Sequence, residues 1–448
     1  MFRRVRVPTR RFADYRTLVR PALYAQVEDL AQRLRGLRIL QVNSTSQGGG
    51  VAEILRSETA LLRDLGVDAE WQVATAPPRF FEITKAIHNG MQGGPVELEA
   101  NEWDFYEEHN RRLASHLEAA RWDLIVVHDP QPCPLPSFAA DAGSTRWVWR
   151  CHIDLSHANP HYARRIQSYL RPYDATVFSH HAYVLPETRN AHIITPAIDP
   201  LTAKNERLTA AQARRIVASF GIDLSKPLVT QVSRFDAWKD PLGVIEAWKI
   251  ARERVPDLQL ALVGQYADDD PEGETILTQI RGAANRQPGF FLVANQADDR
   301  DVHAFQTVSR VVLQKSLREG FGLTVSEALW AGTPVIGGAV GGIPTQVTDG
   351  RNGYLVETVE DAAQRIVEIV EDPKLRARLG AAGRERVRRR FLLPRLLRDD
   401  LRLWNRLVAP ARPRRRHDVE RGAPARIRPA RRLAHPRPIR IRAAGGLP

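Results

Sequence analysis

Residues 311–336 read VVLQKSLREGFGLTVSEALWAGTPVI. The apolar run at 311–313 predicts a strand, a glycine-bearing loop follows, 323–331 predicts a helix that stops at Gly332, and 334–336 opens another strand. A short apolar strand, a loop, a helix and a second apolar strand form one unit of a parallel sheet with helices on its faces. Ligands of such sheets bind at the carboxyl ends of the strands. Glu319 falls in that loop, and Glu327 lies about a turn into the helix. The glycines let backbone N–H groups approach a ligand, the helix start favours a phosphate, and each carboxylate accepts hydrogen bonds from sugar hydroxyls. A solvated helix carboxylate would explain Glu327 by itself. It would not explain a glycine-rich loop at a strand end.

The same alternation extends in both directions. Apolar runs at 37–42, 124–127, 146–150, 175–178, 228–232, 258–263 and 290–293 each precede a loop and a longer amphipathic stretch. Helices are predicted over 51–65, 241–254, 301–309 and 359–370, and there is no short-period repeat. After a strand-like stretch at 192–195, the polar, proline-bearing residues 198–208 predict a linker. One α/β domain is therefore expected over 1–200 and a second over 201–390. The helical pattern at 392–408 closes the second domain; as a separate segment, 391–409, it is a candidate to pack back on the first. Residues 410–448 are rich in Arg, Pro and Ala, with too few large apolar groups to offset the entropy of ordering, and predict a disordered tail.

The 448 residues hold a net charge of +13. The tail alone has twelve arginines against Asp418 and Glu420, a surplus of ten, so the rest of the chain holds about +3, ordinary for a soluble enzyme. The basicity belongs to a tail rather than to a folded nucleic-acid face. No run approaches the ~20 apolar residues of a membrane span, and the charged start MFRRVRVPTRRFADY lacks the apolar core of a secretory signal. With Cys133 and Cys151 its only cysteines, the chain is not built on disulfides, and a cytoplasmic setting is expected.

Four further groups could carry chemistry. Gly48, Gly49 and Gly50 stand between the first strand and its helix; they do not match GxGxxG, which disfavours a nicotinamide site, and a tight turn would also explain them. Ser233 to Asp240, SRFDAWKD, ends the first strand of the second domain and places Arg234 and Lys239 together, a planar fork and a point charge suited to a pyrophosphate. His128-Asp129-Pro130 and Arg150-Cys151-His152-Ile153-Asp154 end two strands of the first domain. The segment 80–93, which contains His88, Asn89, Met91 and Gln92, is polar and aromatic in the way sugars favour. The acidic clusters Asp268-Asp269-Asp270 and Asp298-Asp299 lack metal-ligand spacing and read as solvated loops, and no zinc pattern is present.

SRFDAWKD paired with EGFGLTVSE resembles the second domain of the retaining glycosyltransferases of family 4, whose glutamate–seven residues–glutamate motif here is Glu319 and Glu327. Val263-Gly264 and Gly341-Gly342 fall where that family places them. Within the family, STSQGGGVAEIL, FFEITKAIHNGMQG, HDPQP, RCHIDLS and KSLREGFGLTVSEALWAGTPVIGG resemble the trehalose glycosyltransferring synthases. Met91 stands where leucine is expected, and the Arg/Pro tail has no counterpart. The resemblance spans residues 37 to about 408. It implies the GT-B fold, two Rossmann-like doubly wound domains facing a central cleft, and the reversible making of α,α-trehalose from a nucleoside diphosphate glucose and glucose.

The resemblance also implies roles. Arg234 and Lys239 would bind the diphosphate, and Glu327 the ribose hydroxyls. Glu319 and the backbone of Gly320, Phe321 and Gly322 would hold the donor sugar, and Leu323 and Thr324 would offer N–H groups to phosphate. His152 would touch the donor sugar near the reacting centre. Asp129, with His88, Asn89, Gln92 and Asp154, would meet the acceptor, and Gly49 and Gly50 would lie by the phosphates. The donor is UDP-, ADP- or GDP-glucose; no cofactor is required, and magnesium is compatible with the scheme but not predicted. A homodimer is also compatible, and the tail is a candidate contact for polyanions. Three other readings stand beside this one: a related transferase with another sugar acceptor, a sugar phosphorylase using inorganic phosphate, and a nucleic-acid-binding protein acting through its tail.

Overall fold

The structure is a computed structural model that describes residues 1–47, 49–95, 97–140, 143, 145–264, 271–284 and 287–409. Gly48, the Asp268-Asp269-Asp270 cluster and the tail 410–448 lie outside the described residues.

The first sheet is built from β1 (Phe2–Arg4), β2 (Arg38–Asn43), β3 (Asp68–Ala74), β4 (Leu124–His128), β5 (Arg146–Cys151), β6 (Ala175–Phe178) and β7 (Ala191–Ile193). Its order is β1-β3-β2-β4-β5-β6-β7, parallel except for β1, which pairs antiparallel with β3. The second sheet is built from β8 (Leu228–Val232), β9 (Gln259–Gly264), β10 (Phe290–Ala294), β11 (Val311–Gln314), β12 (Val335–Gly338) and β13 (Gly353–Val356), in the all-parallel order β10-β9-β8-β11-β12-β13.

The helices that cover the first sheet are α1 (Pro21–Gln32), α2 (Gly50–Asp64), α3 (Pro78–Met91), α4 (Ala100–Ser115), α5 (Leu135–Phe138) and α6 (Pro160–Ser168). Those of the second are α7 (Ala210–Ala218), α8 (Pro241–Arg254), α9 (Pro271–Ala284), α10 (Asp299–Val308), α11 (Leu323–Ala331), α12 (Ile343–Gln346), α13 (Val359–Glu371) and α14 (Pro373–Arg390). A last helix, α15 (Leu393–Val408), completes the compact unit Met1–Val408.

Both sheets are wound from the middle outward. In the first, the chain goes from β2 out to β3 and then returns to β4 on the other side; in the second, it goes from β8 to β9 and β10 and returns to β11. Each reversal opens a crevice between the loops that leave the two central strands. The central strands are buried along their length: LIVVH in β4 and LVTQV in β8 have no exposed residue. Such strands read as continuous apolar runs because helices cover both faces.

The segments without a strand expectation have physical reasons for being quiet. DAEWQVA in β3 alternates exposed and buried positions and carries two carboxylates. FRR in β1 is a short, polar edge. The segment 80–93 supplies most of α3, a helix whose buried face holds Phe80, Ile83, Thr84, Ile87 and Met91.

The stretch 198–208 is a packed crossing rather than a solvated linker. Ile198 and Asp199 are buried. The Ile198 N–H donates to the Phe391 carbonyl at 2.9 Å, and the Leu393 N–H donates back to the Ile198 carbonyl at 2.9 Å, so the outgoing and returning strands of chain run side by side. The Tyr15 hydroxyl donates to Asp199 at 2.7 Å. α15 then packs on the first sheet's side: Leu396, Leu397, Leu401 and Trp404 share one core with Phe12, Val27, Ala31 and Leu61. Each large apolar side chain among them contributes about 1.5–3 kcal/mol when fully buried. Arg150 and Asp400, both buried, pair at 2.8 Å and tie α15 to the end of β5.

Candidate active site

The second-domain half of the site is assembled at the reversal between β8 and β11, which pair in register from Val229↔Val311 to Gln231↔Leu313. Asp236 accepts from the Trp238 N–H at 2.8 Å and folds Ala237–Lys239 into a tight turn. Asp240, at a left-handed φ of 51°, caps α8 by accepting from the Gly243 N–H at 3.1 Å. That local folding delivers Lys239, whose Nζ donates to Glu319 Oε2 at 2.7 Å. Gln314 and Ser316 donate to the same oxygen at 3.2 and 3.3 Å. Glu319 is thus buried and fixed from three directions, with Lys239 supplying the counter-charge. Arg234 stands at the same strand end with its side chain 67% exposed, paired only loosely with Asp236 at 3.3 Å, and so available to an incoming anion.

Two helix starts meet here. α2 begins after Gly49 and α11 after Gly322; neither start carries a side-chain cap, which leaves N–H groups and the positive dipole ends free. A methyl group on Gly50 would lie 2.5 Å from Leu323 Cδ1, so the two starts are in contact. A methyl on Gly320 would lie 2.3 Å from the His152 carbonyl oxygen, so the loop of Glu319 also rests against the end of β5. Tyr183 of the first domain closes the junction by donating to the carbonyls of Glu319 and Gly320 at 3.1 and 3.0 Å. Thr324 is half-buried at the α11 start.

Phe321 is expected to act through its backbone. Its side chain is buried against Phe391, with ring centroids 5.7 Å apart, and its carbonyl accepts from Gln346 at 2.5 Å, so it can offer a ligand its backbone N–H but not its ring. Gln346 also donates to the Gly322 carbonyl at 3.1 Å and shapes this loop, and nothing in the pattern around it signals that role.

Glu327 is not a solvated helix carboxylate. It is buried, with Lys204 Nζ at 3.4 Å and Gln306 Nε2 at 3.5 Å. Burial pushes its carboxyl up to about 7; Lys204 opposes that and Glu53 adds to it. Lys204 lies in the crossing segment and also reaches Glu53 of α2 at 2.9 Å, so one cation bridges the two halves. Its pKa is raised: burial alone would lower it, but Glu327 and Glu53 more than offset that.

The first-domain half lies at the reversal between β2 and β4. Asp129, at a φ of 63°, accepts from the His152 N–H at 2.8 Å, and burial pushes its carboxyl up to about 7 while that N–H opposes. One oxygen is therefore already committed to holding His152. The His152 ring lies 3.0 Å, nitrogen to nitrogen, from His128, which in turn lies 2.8 Å from Gln41. Both imidazoles are held well below their ordinary range, first by burial, and are neutral at pH 7.

His88, Asn89 and Gln92 gather at the end of α3. His88 is brought to the second-domain cations: its imidazole is driven down to about 4 by burial, then by Arg234 and, less strongly, Lys239. Arg318 donates to the Gln92 carbonyl and stacks over Trp238 at 5.0 Å, a crossing contact that its place beside Glu319 hints at only in retrospect. Asp154 is buried, and one of its oxygens accepts from the Ser156 N–H and hydroxyl at 3.0 and 2.6 Å, which commits that oxygen to a local turn.

Asp298 is a helix cap, accepting from the N–H groups of Arg300 and Asp301 at 2.8 Å each. Among the described residues, no three His, Cys, Asp or Glu gather as a metal-ion group, and no helix is long and apolar enough to cross a membrane. Cys133 and Cys151 are free and buried.

Two doubly wound sheets, with a Lys–Glu pair at one reversal and His–Asp strand ends at the other, define a GT-B glycosyltransferase. Comparison with known proteins refines this. Residues 41–185 match the family described as trehalose synthase, N-terminal domain, and residues 212–386 match glycosyl transferases group 1. The trehalose synthase of Rubrobacter xylanophilus is 45% identical over 91% of this chain and 100% of its own length. That of Pyrococcus horikoshii is 40% identical over 89% and 97%. The chain belongs to the trehalose synthase family of glycosyltransferases. A trehalose phosphorylase of Pleurotus pulmonarius is 29% identical over 76% of this chain and 53% of its own. Among solved structures, sucrose-phosphate synthase from Thermosynechococcus elongatus superposes with a TM-score of 0.67 at 19% identity, covering 83% of this chain and 99% of that one.

Proposed function

We propose that this chain transfers a glucosyl group from a nucleoside diphosphate glucose to free glucose, reversibly and with retention, giving α,α-trehalose. The observation that carries the reading is the Lys239–Glu319 pair at 2.7 Å, set beside two uncapped helix starts and against the His152 carbonyl. That arrangement has positive charge for a diphosphate, a fixed carboxylate for sugar hydroxyls, and a first-domain wall for the acceptor.

In the proposed reaction the bond from the anomeric carbon to the phosphate oxygen breaks, and its electron pair goes to the diphosphate. Arg234, Lys239 and the N–H groups at Leu323 and Thr324 stabilise that charge, a term that commonly supplies several kcal/mol. The acceptor hydroxyl oxygen bonds to the anomeric carbon on the face the phosphate leaves, and its proton passes to the departing phosphate. No carboxylate acts as a nucleophile, unlike the usual retaining glycosidase pair. The cations neutralise the leaving group, so the scheme requires no metal. Glu327 receives the ribose hydroxyls, and closure of the junction limits hydrolysis of the donor.

Purified protein incubated with UDP-, ADP- or GDP-glucose plus glucose should form a non-reducing disaccharide, with chelator present as well as absent. Donor consumed with glucose 6-phosphate or another sugar, but not with glucose, would overturn the acceptor. The likeness to trehalose phosphorylases favours a second reading, in which inorganic phosphate replaces the nucleotide. Trehalose cleaved by phosphate without nucleotide would establish it in place of the first.

A further inference from the structure

His152, His128 and Gln41 form a line leading inward from the junction of the two sheets. His152 is half-buried at the end of β5, His128 is 2% exposed at the end of β4, and Gln41 is 1% exposed on β2. His152 Nε2 and His128 Nδ1 are 3.0 Å apart, and the two rings are inclined by only 16°, which suits an in-plane N–H to N hydrogen bond. His128 Nε2 lies 2.8 Å from Gln41 Oε1.

The proton positions follow from donor counting. An amide oxygen can only accept, so His128 carries its proton on Nε2. A neutral imidazole has one N–H, which leaves His128 Nδ1 as a lone pair. His152 must then donate from Nε2, and its own Nδ1 is the lone pair. That Nδ1 has no hydrogen bond among the described residues, yet it is not one of the buried polar atoms without a partner, so it reaches the open side. The backbone of the same residue borders the donor loop, since the His152 carbonyl meets Gly320.

We propose that Gln41 and His128 are positioning residues that lock His152 in the Nε2-protonated form, so that Nδ1 presents a hydrogen-bond acceptor to a hydroxyl of the transferred sugar. The sugar-facing part of this rests on the glycosyl-transfer reading above; the tautomer itself does not. The hydrogen-bonding partner of one ring nitrogen commonly sets which state the other presents. Here two partners in series do so, and the chain ends on a group that does not titrate.

The direct test is a long-range 1H–15N correlation spectrum of the full chain labelled at histidine, at pH 7. His152 should show a protonated-type Nε2 and an unprotonated-type Nδ1; a proton on Nδ1, or a mixture of the two forms, overturns the proposal. A second measurement uses His128→Asn, whose amide oxygen can still accept from His152 Nε2–H, and His128→Phe, which cannot accept. His128→Phe should lower kcat about ten- to a hundredfold, the usual scale for an orienting partner, with the KM for glucose little changed and most of kcat restored in His128→Asn. Equal impairment of the two variants would mean that His128 only fills space. Failure of the transfer reading would appear as a wild type that makes no glycoside. Failure of the relay would appear as a wild type that transfers sugar with His152 protonated at Nδ1.

Discussion

Lys239 and Glu327 carry the sharpest consequences for single residues. Lys239 is the part-buried cation at the strand end, and its partner Glu319 is fixed independently by Gln314 and Ser316. Lys239→Ala should therefore lower kcat at least about a hundredfold, ~2.7 kcal/mol of transition-state stabilisation, while thermal unfolding shows the fold retained. Near-normal turnover would remove Lys239 from the mechanism. Glu327 makes a prediction in pH. Its folded-state value near 7 lies above the ordinary 4.5, so the folded protein holds an extra proton between those values. Stability from this group is full below pH 4.5 and is lost as the pH rises through about 7. Denaturant unfolding at pH 5 and 8 should show that loss in the wild type and a flatter response in Glu327→Gln. The ionised form is the one that can accept two ribose hydroxyls, so the donor KM should rise as the pH falls below neutrality, and that limb should be absent in the variant.

For the elements, the question is how closely the loops and helix starts approach. The two glycines at the junction predict unequal outcomes for the same substitution. A methyl on Gly320 meets the backbone oxygen of His152, which cannot move without shifting β5, whereas a methyl on Gly50 meets the end of the Leu323 side chain, which can turn aside. Gly320→Ala should cost about 1–3 kcal/mol, as overpacking does, together with most of the activity. Gly50→Ala should leave stability nearly unchanged by the same measurement. α15 adds a third case. Leu401→Ala removes a fully buried side chain from the core shared with α1 and α2 and should cost about 2–5 kcal/mol of unfolding free energy.

Across the whole molecule, three polar contacts cross between the loops of the two sheets beside the candidate site. Tyr183 donates to the carbonyls of Glu319 and Gly320, Arg318 donates to the Gln92 carbonyl, and Lys204 spans Glu53 and Glu327. Each touches a residue to which the proposed chemistry assigns a task, or the helix that carries one. Loosening them should let water reach the donor. In Tyr183→Phe the ratio of donor hydrolysed to disaccharide formed should rise, while the Lys239–Glu319 pair stays in place. An unchanged ratio would mean that these crossings serve stability alone.

The apolar runs, the glycine-rich turn at 319–322 and the two-cation strand end were legible from residue order, because they depend on local rules: period, helix-start chemistry and the rigidity of β-branched runs. They were enough to expect two parallel-sheet domains and to place Arg234, Lys239, Glu319 and Glu327 on ligand-facing edges. β3 and α3 were quiet because half-buried elements mix charged and apolar residues, and only packing says which face is inside. The tertiary structure alone decided which strand ends become neighbours, since that depends on the order in which strands enter each sheet. It set Lys239 against Glu319 across 80 positions of chain and put Lys204 of the crossing segment between two carboxylates. It buried His128 behind His152, and it turned Asp154 and the Phe321 ring inward. Burial and long-range pairing set the pKa of Glu327 and the proton position of His152, and neither can be read from the residues beside them in sequence.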